Sequence, residues 1–90
     1  MEPAIVTVRY WASARAAAGV ASDEVPVDGA TSLADLRERA AGLHPGTRLG
    51  AVLAVCSVLV GDRPVGSRDP AGVEVSPGET VEFLPPFAGG

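Results

Sequence analysis

Residues 80–90 have the sequence TVEFLPPFAGG, in which a strand-like segment is followed by a proline pair and finally a glycine pair. Pro85 and Pro86 fix φ and favour an extended course with no internal hydrogen bonds. Gly89 and Gly90 carry no Cβ, so this part of the backbone can pass through a narrow channel. A terminal α-carboxyl group has a reference pKa of about 3.5 and is ionised at neutral pH. The pattern predicts an arm that is threaded into another protein, with the Gly90 carboxylate as its reactive end.

A frayed terminus is the alternative interpretation, because glycines accumulate in frayed chain ends. The proline pair directly after a strand argues against it. We therefore expect a folded domain over residues 1–84, followed by a flexible C-terminal Gly-Gly tail over residues 85–90.

The composition indicates one small folded domain and argues against several classes of function. Of the 90 residues, 47% are hydrophobic and 20% are charged, which argues against disorder. No apolar run approaches the ~20 residues that cross a bilayer, and the first residues lack the basic region of a signal peptide. The net charge of −4 argues against a nucleic-acid partner. We expect a cytoplasmic protein with neither nucleic-acid nor membrane partners.

The first third of the chain is predicted to form a β-hairpin with a short helix in its connection. Residues 4–11 alternate, so that two sets of side chains lie on opposite faces: Val6, Val8 and Tyr10 on one, Thr7, Arg9 and Trp11 on the other. The alanine-rich residues 12–18 favour a helical turn that ends at Gly19. Residues 22–28 are predicted as a second strand with Val25 and Val27 facing inward. Pro26 places this strand at a sheet edge.

One main helix follows, capped by Thr31 or Ser32, and Ser32 and Asp35 fit a capping-box arrangement. Its inward stripe is predicted to consist of four residues, Leu33, Leu36, Ala40 and Leu43. Thr47 is predicted to cap a shorter helix that ends at Leu53. The apolar run 54–60 indicates a buried strand, and Val65 a short return strand. The segment 76–79, with the sequence SPGE, fits a type II turn that leads into the last strand, residues 80–84.

Independent catalysis is not indicated by any constellation of side chains. His44 is predicted to be a solvated loop residue beside Pro45, without the partners of a catalytic triad. Cys56 lies in the most apolar segment and is predicted to be a buried structural thiol. The carboxylates of Asp23, Glu24 and Asp28 are interpreted as a polar strand end and turn. We expect no metal site, no cofactor and no independent enzyme.

Two stretches resemble a known family. Residues 8–19, VRYWASARAAAG, look like the first strand and following turn of the MoaD branch of the MoaD/ThiS family. Residues 78–90, GETVEFLPPFAGG, are similar to that family's C-terminal pattern. The resemblance covers the whole chain. It implies an α+β, ubiquitin-like β-grasp fold: a mixed sheet of four to five strands packed on one main helix.

The function implied by the resemblance is that of a sulfur carrier, most like the small subunit of molybdopterin synthase. An E1-like adenylyltransferase would use ATP to adenylate the Gly90 carboxylate. A sulfur donor of the cysteine desulfurase or rhodanese type would convert it to a thiocarboxylate. The arm would then enter the large catalytic subunit of molybdopterin synthase and give its sulfur to a cyclic pyranopterin phosphate.

The tail residues take their implied roles from the same resemblance. Gly89 and Gly90 form the slender reactive end, and Ala88 is its small neighbour. Phe87 is an apolar anchor near the channel mouth, and the pair Pro85-Pro86 is a stiff hinge. The exposed sheet face would supply the docking surface.

The sequence departs from the family pattern at Phe87, where valine is common, and at Ala16, where glutamate often follows the arginine. The segment 59–62 lacks an asparagine that is frequent in the family. These departures leave the carrier chemistry intact but leave the acceptor open, with a carrier for thiamine thiazole or cysteine biosynthesis as the alternative. A β-grasp interaction module with an inert Gly-Gly end is the alternative from a different class of function.

Overall fold

The computed structural model describes residues 4–86. The chain forms short strands and helices in the order β1, α1, β2, β3, α2, α3, β4, β5, a 3₁₀ turn, β6 and β7. The helices are α1 (Ala12–Ala18), α2 (Leu33–Gly42) and α3 (Leu49–Ala54), with the 3₁₀ turn at Pro70–Gly72. The strands are β1 (Ile5–Tyr10), β2 (Ser22–Pro26), β3 (Thr31–Ser32), β4 (Ser57–Val60), β5 (Arg63–Pro64), β6 (Glu74–Val75) and β7 (Thr80–Leu84).

Five strands form one mixed sheet in the order β2-β1-β7-β4-β5. Strand β7 lies in the centre, parallel to β1 and antiparallel to β4. The predicted hairpin of β1 and β2 is confirmed, and Pro26 lies on the outermost strand. A parallel central pair formed by the two terminal strands, with the helices against one face, is the ubiquitin-like β-grasp arrangement. The predicted fold class is confirmed, and a separate pair of short strands, β3 and β6, is added to it.

The core lies between the inner face of this sheet and the helices. Strands β1 and β7 bury alternate residues, because successive side chains of a strand point to opposite faces. Helix α2 buries Leu33, Leu36 and Ala40, as its spacing predicts. The largest fully buried side chains are Phe83, Leu33, Leu36, Leu49, Leu53, Val6, Val8, Val25, Val75 and Val81.

The predicted cap of α2 and two predicted turn glycines explain where three of these elements begin or end. Thr47, predicted to cap α3, lies one residue before the N-cap Arg48, although its hydroxyl accepts from the Leu49 N–H at 3.2 Å. The Ser32 hydroxyl accepts a hydrogen bond from the backbone N–H of Asp35 at 3.0 Å, which caps α2. Gly19 ends α1 in the left-handed conformation at φ 78°. Gly78 has φ 90°, and the Glu79 N–H donates to the Ser76 carbonyl at 3.1 Å, as a type II turn requires.

Four predictions about element boundaries and the helical stripe are wrong. The apolar run 54–60 is not one strand, because α3 extends to Ala54 and the strand begins only at Ser57. Leu43 follows the last residue of α2, so its side chain leaves the helical stripe and is half exposed. The second strand ends at Pro26 instead of residue 28, and the return strand β5 precedes Val65.

The prediction of a solvated His44 is also wrong. Its Nε2 atom lies 2.5 Å from Oδ2 of Asp23, and only 16% of the side chain is exposed. The Tyr10 hydroxyl donates to the same carboxylate oxygen at 2.8 Å. Burial raises the pKa of Tyr10 well above its usual range, and its hydrogen bond to the Asp23 carboxylate adds to the effect. Asp23, near the start of β2 as interpreted, is therefore also the acceptor that joins β1, β2 and the α2–α3 loop.

Two features are absent from residues 4–86. No helix in this part of the chain is long and apolar enough to cross a membrane. Over the same residues, no three histidine, cysteine or acidic side chains come together as metal ligands could.

Candidate functional site

The base of the predicted arm is the central strand β7. Its inner side chains Val81 and Phe83 are fully buried. Pairing extends almost to the end of the strand on both sides, with Phe83 opposite Tyr10 and Leu84 opposite Ser57. A strand held by neighbours on both sides cannot shift without breaking both sets of hydrogen bonds. The point from which the arm leaves the domain is therefore fixed.

Trp11 adds a further restraint at this point. Its backbone N–H donates to the Phe83 carbonyl at 3.2 Å, one residue beyond the last paired position of β1. Its indole Nε1–H donates to the Glu82 carboxylate at 3.1 Å. The Arg9 guanidinium lies 5.0 Å from the centre of the indole ring and 3.6 Å from the same carboxylate. Three outward side chains thus form one ordered cluster beside the end of β7.

The rest of the outer sheet face has a mixed character. Its strands present Thr7, Leu59 and Leu84 beside the Arg9–Trp11–Glu82 cluster. These three side chains are half buried. Trp11 is 40% exposed although it is a large aromatic side chain. Partly exposed apolar groups with a few charged groups among them are typical of surfaces that bind another protein.

Pro85 and Pro86 leave the sheet along a shallow groove of about 210 Å³. The opposite wall of the groove comes mainly from α3 and the residue after it, Val55, which is 63% exposed. Arg48, at the start of α3, lines the same groove. Pro85 is half buried and Pro86 is exposed, so the described part of the arm turns from the core toward solvent.

The predicted site residues fall into two groups. Pro85 and Pro86 lie where the sequence places them, directly after the last strand. Phe87, Ala88, Gly89 and Gly90 lie outside the described residues.

Two features of the site were missed by sequence reasoning. The alternation of β1 places Arg9 and Trp11 on the outer face, but nothing in the sequence pairs them with Glu82, which is 71 residues from Trp11. The parallel alignment of the two terminal strands brings them together. The groove beside the prolines was missed because residues 54–56 were assigned to a strand and not to the end of α3.

The comparison with protein families decides which family this fold and this tail represent. The model of the ThiS family matches residues 8–90. The chain belongs to the ThiS family. The predicted membership of the MoaD/ThiS group of ubiquitin-like sulfur carriers is thereby confirmed, and the match extends through the arm and the central strand that carries it.

Solved structures show the same fold at low sequence identity. A Pyrococcus furiosus protein described as molybdopterin converting factor subunit 1 has a TM-score of 0.74 and 24% identity, over 92% of this chain and 98% of that one. Small archaeal modifier protein 1 from Haloferax volcanii has a TM-score of 0.75 and 21% identity, over 96% and 99% of the two chains. The Methanosarcina acetivorans small archaeal modifier protein 1 has a TM-score of 0.75 and 17% identity over the whole of both chains. A comparison with curated proteins gave no match.

Proposed function

We propose that this ThiS-family chain carries sulfur as a thiocarboxylate on Gly90 and donates it for molybdopterin biosynthesis, as the small subunit of molybdopterin synthase. The observation that carries the proposal is the match to the ThiS family through residue 90, which includes the Pro-Pro and Gly-Gly pairs. The likeness to the Pyrococcus furiosus molybdopterin converting factor supports the choice of acceptor.

The chemistry proposed for Gly90 has three steps. The carboxylate oxygen attacks the α-phosphorus of ATP in the active site of an E1-like adenylyltransferase, and pyrophosphate leaves. The terminal sulfur of a persulfide on a donor of the cysteine desulfurase or rhodanese type then attacks the acyl carbon, and AMP leaves. A thiol cleaves the S–S bond of the resulting acyl disulfide, which gives the Gly90 thiocarboxylate and a disulfide between the donor and that thiol. Catalytic groups for these steps come from the partner enzymes, which is why the chain needs no base or metal of its own.

In this proposal, the folded domain serves to position the C-terminal arm. The buried strand β7 fixes the base of the arm, and the proline pair restricts the directions that the following residues can take. Holding the reacting group in a narrow range of positions can remove a large part of the activation barrier of a transfer reaction. The proposed partner of the outer sheet face is the large synthase subunit, with Trp11 as a central contact, because exposed tryptophans often dominate interface energies.

The test is to charge the purified chain with an E1-like adenylyltransferase, ATP and a sulfur source. We expect the intact mass to increase by the difference between one sulfur and one oxygen, with the change located at Gly90. The charged chain, mixed with the large synthase subunit and cyclic pyranopterin phosphate, should yield molybdopterin and return to the carboxylate form. Absence of a mass change with a competent adenylating enzyme would refute the carrier function. Discharge only to a thiazole-forming or cysteine-forming enzyme would refute the acceptor alone.

Protein modification is a second candidate function, favoured by the likeness to two structures of small archaeal modifier protein 1. In that case, activated Gly90 would form an amide with a lysine of another protein. This chain contains no lysine, so side chains of a second copy could not accept it. The modifier would therefore form no chains through lysine side chains.

The modifier hypothesis has its own signature in mass spectrometry. The last basic residue is Arg68, so trypsin would leave the long remnant 69–90 on the target lysine. Cleavage after Phe87 by chymotrypsin would leave only Ala-Gly-Gly. Lysines that carry this remnant in cells expressing the tagged chain would support modification. Their absence in cells where the chain is found as a thiocarboxylate would argue for sulfur transfer alone.

A further inference from the structure

Two cavities lie on either side of the segment that joins α3 to β4, close to the base of the arm. The first is the groove of about 210 Å³ beside Pro85 and Pro86, with Val55 and Arg48 in its walls. The second, about 250 Å³, lies between α2, the loop after β5 and the inner face of the sheet. Ala54 and Cys56, the neighbours of Val55, line this second cavity. Both cavities adjoin the end of α3, and we call their combined lining the arm-base surface.

The charged residues of this surface are all basic. Arg48 lines the first cavity and Arg37 and Arg68 line the second, whereas neither lining contains an aspartate or a glutamate. The whole sequence has 11 acidic and 7 basic residues, so an average surface of this protein would be acidic. The basic character of the arm-base surface is therefore local and opposite in sign to the net charge.

These arginines also differ from others in the chain in what surrounds them. Within residues 4–86, none of the three forms an ion pair, whereas Arg9 pairs with Glu82 and Arg63 with Glu79. The Arg63–Glu79 pair lies at the opposite end of the sheet, where β5 meets the last residues of β4. The cavity at that end contains Glu74 and Glu79 as well as arginines. Arg68 also lines that cavity, whereas Arg37 and Arg48 do not, so these two guanidinium groups are the ones set apart from its carboxylates.

We propose that the arm-base surface docks on an acidic channel mouth of the activating adenylyltransferase, whose carboxylates pair with Arg37, Arg48 and Arg68. An apolar side chain of that enzyme would occupy the groove against Val55 and Pro86. This inference rests on the proposed function, because the arm must enter the activating enzyme before it can be charged. Arginine forms bidentate hydrogen bonds with carboxylates, and charge complementarity raises association rates and selects partners. The docking surface is distinct from the outer sheet face, which carries Trp11.

The test compares charge reversals at the two ends of the sheet. Arg48→Glu and Arg63→Glu change the net charge equally, but only the first lies at the arm base. In the ATP-dependent charging assay with the purified adenylyltransferase at low salt, we expect Arg48→Glu to raise the KM for the carrier about tenfold. The kcat should change little, because the arm itself is intact. Arg63→Glu should leave the KM within about twofold.

A second set of variants separates local contact from folding. Arg37→Gln, Arg48→Gln and Arg68→Gln, combined in one chain, keep polar side chains on the surface but remove its charge. Their KM should also rise about tenfold at low salt, and the increase should shrink as salt screens the interaction. Thermal unfolding should show that these variants fold as the unaltered chain does.

The outcomes distinguish this inference from the function on which it rests. If the unaltered chain is not charged at all, the proposed function fails. If it is charged and the Arg48→Glu chain has the same KM as the Arg63→Glu chain, the inference fails and the carrier function stands. A rise in KM for Arg48→Glu that is independent of salt would equally overturn the ion-pair basis of the docking.

Discussion

Tyr10 and Trp11 are consecutive aromatic residues, yet they belong to different parts of the molecule. Tyr10 is 2% exposed and points into the core, whereas Trp11 is 40% exposed on the other side of the sheet. Each donates one hydrogen bond to a carboxylate, Tyr10 to Asp23 at 2.8 Å and Trp11 to Glu82 at 3.1 Å. The two bonds are chemically similar, but their surroundings differ.

This comparison separates what holds the domain together from what presents the arm. The inner bond joins two strands and the His44 loop in a place with little water, so breaking it leaves a poorly solvated carboxylate. The outer bond orders a surface cluster that water can resolvate, so breaking it costs little stability. We therefore expect inner changes to affect unfolding and outer changes to affect partner binding and transfer.

The largest expected effect belongs to the arm. Deletion of Gly90, or addition of one alanine after it, should abolish ATP-dependent charging, because the carboxylate no longer lies where the adenylating site can reach it. Gly89→Val should act similarly through the bulk of its side chain. The midpoint of thermal unfolding should stay nearly unchanged, since the buried core residues found within residues 4–86 all precede Pro85. Charging of the Gly90-deleted chain at the normal rate would show that the terminus is not the sulfur carrier.

Leu36→Ala should have the largest effect on the inner side. Leu36 is fully buried in α2 against the sheet, so its truncation removes apolar contacts and leaves a cavity. The expected loss is about 2–5 kcal/mol of the free energy of unfolding, measured by denaturant titration. Molecules that remain folded should still be charged at the normal kcat. A loss below about 0.5 kcal/mol would show that this helix face does not carry the core.

Trp11→Ala should have the opposite pattern to Leu36→Ala. The backbone N–H that holds the Phe83 carbonyl is kept in alanine, so the unfolding free energy should change by less than about 1 kcal/mol. Affinity for the large synthase subunit, measured by calorimetry, should fall roughly tenfold or more, because an exposed tryptophan is removed from the proposed interface. Glu24→Ala on the edge strand is a matched control on the same sheet face. Equal affinity of both variants would place the interface elsewhere.

Tyr10→Phe isolates the inner hydrogen bond and should give a smaller loss. The ring stays in the core, while Asp23 keeps only its contact with His44. We expect about 1–2 kcal/mol of destabilisation and unchanged affinity for the large subunit. In the double variant Tyr10→Phe with Asp23→Asn, the two losses should not add, because both residues belong to one network. Additive losses would mean that the bond between them contributes nothing.

Local signals in the sequence predicted most of the fold. The capping serine, the proline–glycine turn, the alternation of β1 and the stripe of α2 each depend on residues close together in the chain. The errors have a common physical origin. An apolar run of seven residues is compatible with a helix end or a strand, so residues 54–60 could not be divided by pattern alone. His44 and Asp23 are 21 positions apart in the sequence, and only the tertiary fold brings their side chains within hydrogen-bonding distance.

The sequence predicted the C-terminal arm of the candidate site but not the surfaces around it. The order of strand, prolines and glycines indicates the arm directly, because each of those residue types restricts the backbone in a known way. The surfaces around the arm arise where distant elements meet. Arg37 lies on α2 and Arg48 directly before α3, and no spacing in the sequence brings these two arginines to the cavities at the base of the arm.

Cys56→Ser should have the smallest effect, and it tests whether the arm alone carries sulfur. Burial raises the pKa of the Cys56 thiol from 9.0 to about 11, so almost no nucleophilic thiolate is present at neutral pH. Its Sγ–H donates to the Val52 carbonyl at 3.2 Å, a bond that a serine hydroxyl can replace. We therefore expect equal charging of the Cys56→Ser chain, and slow alkylation of Cys56 in the folded unaltered chain below about pH 9.

Because the pKa of Cys56 is raised, the stabilities of the unaltered and Cys56→Ser chains should respond differently to pH only at high pH. Because the folded pKa lies above the unfolded value, the neutral thiol supports the folded state fully below about pH 9. That contribution is lost as the pH rises from about 9 to about 11, since the unfolded chain releases its proton first. The unaltered chain should therefore lose more stability over this interval than the Cys56→Ser chain, measured by denaturant titration at each pH. Identical pH profiles would show that the thiol is not buried in solution, and loss of charging in Cys56→Ser would show that sulfur passes through this side chain on its way to Gly90.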